Sequence, residues 1–183
     1  NMISKVIQNI YKKIINSLFK IFHGEIKGII KLERDREIKI ILKDNKIKYS
    51  IYFCNQSRLY TDTIHDTAFI KDNFLIDGPS FQFRENKIAE TNKNIVLHKG
   101  TPRFKKKLKG KVFSLLTGGG GNNNYYHWLF DVLPRLEILK EKINLTNVDY
   151  FLFPRVNLRF QKESLDLLGI PESKRLSSQS FRH

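Results

Sequence analysis

The apolar and polar positions change rhythm several times along the chain, and each rhythm predicts an element. In residues 1–22, Ile3, Val6, Ile7, Ile10, Ile14, Leu18 and Phe22 recur at helical spacing with Lys5, Lys12, Lys13 and Lys20 and no acid, the mark of a basic amphipathic helix. Lysine interrupts it too often for a bilayer span, which needs about 20 apolar residues, and it has no small-residue cleavage site of a signal peptide. Two placements follow: flat in the headgroup plane of an inner leaflet, or packed on the domain or a partner, the second being the simpler.

From residue 25 the period falls to two. Ile38, Ile40 and Leu42 alternate before the charged turn Lys43-Asp44-Asn45-Lys46, and Ile47, Tyr49, Ile51 and Phe53 alternate after it, which predicts a hairpin. Short extended pieces follow at 68–70, 74–76 and 81–83, with Asp77-Gly78-Pro79 as a turn. Asp62, His65 and Asp66 stand close together in TDTIHD but match no strong metal template, so a polar turn is expected there. Residues 99–110 are a basic stretch with Gly100, Pro102 and Gly110, read as an exposed linker. It lacks both a nucleic-acid motif and an aromatic platform beyond Phe104, so no nucleic-acid partner is expected.

The densest chemistry lies in 111–142. KVFSLLT reads as a buried strand stopped by Gly118 to Gly121, and Asn122 to Asn124 offer N-cap side chains to a following helix. In that helix Trp128, Leu129, Val132, Leu133, Leu136 and Leu139 gather on one side at about 100° per residue. Asn124, His127, Asp131 and Arg135 share a second face within roughly 80° of arc. One reading is a solvated helix with an Asp131–Arg135 pair; the other is a functional stripe. Pro134 favours the second, because inside a helix it removes one hydrogen bond and clashes with the Phe130 carbonyl, costing about 3 kcal/mol or more. A kink is expected there. Beyond it, a strand at 149–153 closed by Pro154 and an amphipathic helix at 158–168 capped by Gly169 complete a parallel βαβ pattern, with no further strand expected to close the layer.

The run GGNNNYYHWLFDVLPRLEIL resembles the signature block of the family 61 glycosyltransferases. Asn124, Tyr126, His127, Trp128, Leu129, Asp131, Pro134, Arg135 and Leu136 fall where that block has them, and RLYTDT, VFSLL, DYFLFP and FQKESLDLLGIP resemble its flanking elements. The resemblance implies the N-terminal, Rossmann-like half of a GT-B fold, followed elsewhere by a nucleotide-binding C-terminal domain, so that little turnover is expected of this half by itself. The organisation expected is an amphipathic helix (1–22), a β-rich part (23–98), the basic linker (99–110) and a Rossmann-like βαβ part (111–183).

The implied activity is inverting transfer of a sugar from a nucleotide-sugar donor to a glycan or lipid-linked acceptor hydroxyl in surface-polysaccharide synthesis. Neither cofactor nor metal is expected, and no Asp-x-Asp ends an apolar strand. Asp131 is the preferred base with His127 polarising or positioning the acceptor, although the two roles can be exchanged. Arg135 is assigned to pair Asp131 or reach a phosphate. Asn124 and Tyr126 orient a sugar hydroxyl or the helix start, and Gly120 and Gly121 permit close approach of substrate. Trp128 is either a stacking platform or core. The alternative function is a noncatalytic membrane-surface or glycan-binding module.

Composition adds two bounds. At 40% apolar and 12% aromatic the chain is globular, and 33 Lys and Arg against 18 Asp and Glu give a net charge of +15, which favours anionic partners, among them an anionic membrane surface. The single Cys54, in the apolar run YSIYFC, excludes an intrachain disulfide and reads as a buried thiol suited to a reducing cytosol, so a cytoplasmic protein at the inner membrane face is expected.

Overall fold

A computed structural model describes residues 2–31, 39–43, 49–61, 67–84, 87–117 and 123–177. The architecture is mixed α/β. Helix α1 (Met2–His23) leads into β1 (Gly28–Ile30), and a hairpin follows from β2 (Lys39–Lys43) and β3 (Tyr49–Phe53), antiparallel with Lys43 opposite Tyr49. The strands β4 (Arg58–Thr61), β5 (Thr67–Lys71) and β6 (Phe74–Ile76) join β1 in a mixed sheet of order β1-β6-β5-β4. Asp72 and Asn73 form the two-residue loop between β5 and β6, and both have positive φ, 50° and 64°. That matches the turn geometry whose twist suits a tight hairpin, and Asp and Asn tolerate it best after glycine. Strands β7 (Gln82–Arg84) and β8 (Lys87–Ala89) form a further hairpin, and α2 (Val96–Lys99) closes the first core by burying Val96 against Ile70 and Leu75. Residues 101–111 carry neither helix nor strand. Cys54 lies just past the end of β3 and is half-buried, not buried as its apolar surroundings suggested.

The second layer is a parallel sheet of order β11-β10-β9, from β9 (Val112–Ser114), β10 (Tyr150–Phe153) and β11 (Arg175–Ser177). The third strand corrects the expectation that nothing follows the last helix. Between β9 and β10 run α3 (Tyr125–His127), a wide π turn (Trp128–Val132) and α4 (Leu133–Lys140); between β10 and β11 runs α5 (Arg159–Leu167). Trp128, Val132, Leu136 and Leu139 are buried against Phe151, Phe153 and Leu165, each such side chain contributing roughly 1.5–3 kcal/mol by leaving water. Ile51 of the first hairpin also packs on this core.

Pro134 does not break the helix as a sharp kink. Leu133 donates its N–H five residues back to the Trp128 carbonyl, and the widened turn places Pro134 in the first turn of α4, where a missing N–H leaves little unsatisfied.

Helix α1 does not lay its apolar stripe on the domain. Its second half docks on the body: Phe19 meets Phe104 edge-on at 5.2 Å, and His23 Nε2 lies 2.8 Å from the Arg103 carbonyl oxygen. Its apolar stripe is left in solvent.

Candidate functional site

Asn124 is where the central helix begins. Its backbone is extended and its Oδ1 accepts from the Tyr126 N–H at 2.9 Å, the N-cap geometry that satisfies an otherwise orphaned donor. The structure thus places Asn124 at the helix start. Three residues on, His127 Nδ1 lies 2.6 Å from Asp131 Oδ2, with the two side chains 35% and 44% exposed. Spacing of four residues stacks the pair along the helix, and partial exposure keeps the contact open to a ligand.

Arg135 goes elsewhere. Its Nη1 donates to the Leu116 carbonyl at 2.8 Å, fastening α4 to the chain that leaves β9 immediately before the glycine run. No direct ion pair joins it to Asp131 among the described residues, so the expected pairing is corrected to a longer-range one. Burial lowers the Arg135 pKa below the usual arginine value, and the Asp131 charge opposes that shift. Its role here is to position the stripe against the strand exit.

Trp128 is core and not a stacking platform. It is fully buried, tilts over Phe153 at 5.7 Å and donates its indole N–H to Ser164 Oγ at 2.9 Å. The Ser164 hydroxyl in turn donates to the Gln161 carbonyl at 3.0 Å, so one hydrogen-bond chain ties the central helix to α5. Gly120 and Gly121, with the rest of the glycine run and Asn122, lie outside the described residues, as does the Asp62–Asp66 cluster.

The exposed aromatics beside the pair include one that the sequence reading passed over. Tyr126 and Phe130 are each 62% exposed with ring centroids 4.7 Å apart, and Tyr126 meets His127 edge-on. Phe130 lies about 200° from Trp128 on a helical projection, opposite the core-facing residue, and that offset was the available signal. An exposed aromatic pair next to an imidazole and a carboxylate suits a flat, partly apolar ligand face carrying hydroxyls.

Position in the sheet reinforces this. His127 and Asp131 follow the carboxyl end of β9, the edge where open α/β sheets bind their ligands. A cleft of about 620 Å³ lined by Lys140, Thr146, Leu168, Pro171 and Lys174 lies instead among the loops leading into β10 and β11, at the amino edge, and none of the stripe residues borders it. Among the described residues no three His, Cys, Asp or Glu side chains converge as metal ligands. Compared with protein-family models, curated proteins and solved structures, the chain finds no match.

Proposed function

We propose that this chain is the acceptor-side, Rossmann-like half of an inverting GT-B glycosyltransferase, with His127 as base and Asp131 as the group that orients it. The observation that carries the reading is the 2.6 Å contact between His127 Nδ1 and Asp131 Oδ2 at the carboxyl edge of a parallel sheet. A carboxylate on Nδ1 selects the tautomer with Nδ1–H and leaves the Nε2 lone pair basic. This reverses the preference drawn from the sequence: Asp131 is engaged in holding the ring, and the imidazole presents the proton acceptor.

In the reaction, Nε2 takes the proton of an acceptor hydroxyl as its oxygen attacks the anomeric carbon of a nucleotide sugar. The bond from that carbon to the diphosphate breaks, and the nucleoside diphosphate leaves with the electron pair. Asp131 stabilises the imidazolium that forms. Tyr126 and Phe130 supply a face for a sugar ring, and Gly120 and Gly121, which lack side chains, are assigned to close approach of the acceptor or the donor's sugar. The acceptor is a glycan or lipid-linked hydroxyl.

The test is a nucleotide-release screen over sugar nucleotides with the protein as its gene encodes it. His127→Ala is expected to lower kcat by about 10²–10⁴-fold, and Asp131→Asn to lower kcat with KM nearly unchanged, because it disturbs a proton acceptor and not a binding contact. Equal turnover by both variants and the wild type overturns the assignment. Glycan binding without turnover is the second reading, favoured by the exposed Tyr126 and Phe130; it predicts that His127→Ala binds glycan as the wild type does.

A further inference from the structure

Helix α1 carries its apolar stripe on the side turned away from the protein. On a projection of about 100° per residue, the half-buried Ile15, Phe19 and His23 that dock it lie roughly opposite Ile3, Ile7, Ile10, Ile14 and Ile21. Those five and Leu18 are 44 to 79% exposed. A stripe about 30 Å long is therefore held in water by a helix whose polar side faces the fold. Exposed contiguous apolar surface of that kind marks an interaction site.

Charge selects the partner. Lys13 and Lys20 border the stripe on one side, Lys5 and Lys12 add charge on the polar side, and the helix contains no acid. Beside its last turns, Phe104 is 72% exposed, and Lys105, Lys106, Lys107 and Lys109 follow it in the exposed segment. Burial, and then the charges of Arg58 and Lys107, lower the Lys105 pKa, so positive charge gathers around this segment. A second copy of the chain fits poorly: two lysine-only helices in a chain of net charge +15 repel and have no acids for the flanking pairs of a coiled coil. No helix among the described residues is long and apolar enough to cross a membrane, so the stripe suits a surface and not a span.

We infer that α1, together with the exposed Phe104–Lys109 segment, is a docking surface for an anionic lipid bilayer, with the apolar stripe sunk among the headgroups and the lysines on phosphates. In that geometry the apolar face enters about 5–10 Å and the lysines remain at headgroup level.

Vesicle flotation of the intact chain tests it, with phosphatidylcholine alone against an equal mixture of phosphatidylcholine and phosphatidylglycerol. Binding to the mixed vesicles, weak binding to the zwitterionic ones and loss at high salt are expected. Paired Ile10→Glu and Ile14→Glu substitutions should lower partitioning more than tenfold, and Lys13→Gln about fivefold. All three side chains point into solvent, so an unchanged urea midpoint confirms that the variants stay folded. Three results overturn the inference: no binding to either vesicle, equal binding by the glutamate variant, or a dimer in light scattering that this variant abolishes while vesicles are ignored. None of these bears on nucleotide release, so the two proposals fail separately.

Discussion

Helices α1 and α5 are both amphipathic, and the fold treats them in opposite ways. Along α5, Leu165 is fully buried, Phe160 packs on the same core, and the outward side carries Leu167 at 89% exposure and the Arg159–Glu163 pair at 2.6 Å. Along α1 the apolar side faces solvent throughout. Topology explains the difference. Helix α5 lies between two parallel strands of one sheet, so the crossover must lay it back on that sheet, and its apolar face is covered by construction. Helix α1 precedes the first strand and is tied down from its second half, through contacts that include Phe19, His23 and the Lys20–Glu25 pair at 3.0 Å. Amphipathicity names a face; connectivity decides what covers it.

The strongest way to break this contrast is to truncate the buried side. Leu165→Ala removes a fully buried side chain from the core shared by Phe151, Phe153 and Trp128, and should cost about 2–5 kcal/mol in urea-determined stability. A cost below about 1 kcal/mol would mean that α5 is not anchored through this face. Next in size is Gln161, buried at the start of α5, whose Oε1 accepts from the backbone N–H groups of Asn157 and Leu158 at 3.0 Å each. Gln161→Ala leaves both part-buried donors without this acceptor and should destabilise by about 1 kcal/mol, read from the same unfolding curves. Stability equal to the wild type would show that water reaches that corner.

Elements governed by local rhythm were legible. The alternation around Ile40, Leu42, Ile51 and Phe53 gave the β2–β3 hairpin, and the spacing of Trp128, Val132, Leu136 and Leu139 gave the buried side of the central helix. What escaped depends on partners distant in sequence. Strand β11 is three residues with one apolar side chain, and it exists because Phe151 to Phe153 offer an open edge. Strand β1 is as short and pairs in parallel with β6, more than forty residues away. In the candidate site the Asn124 cap was expected from the sequence, whereas the His127–Asp131 contact was not, because the offset of four was assigned to Asp131 and Arg135. The target of Arg135 was not, because the Leu116 carbonyl reaches it only once β9 and α4 are packed. The kink expected at Pro134 became a π turn because a fifth residue in the turn removes the clash with less loss of hydrogen bonding than a break.

The smallest expected effect is the most informative about α1. Ile10→Ala deletes as much apolar surface as many core truncations, yet the side chain is 53% exposed and touches no core. In lipid-free buffer its loss should change stability by no more than about 0.5 kcal/mol, and the better helix propensity of Ala could make the change slightly favourable. A matched measurement on Leu165→Ala then sets the scale within one chain: the same class of substitution, opposite burial, several-fold difference in cost. If Ile10→Ala instead costs about 2 kcal/mol or more, the stripe is covered by protein in solution, since only packed surface carries a truncation penalty of that size. That result would erase the contrast between the two helices and assign the α1 face to the protein's own core or to a second copy.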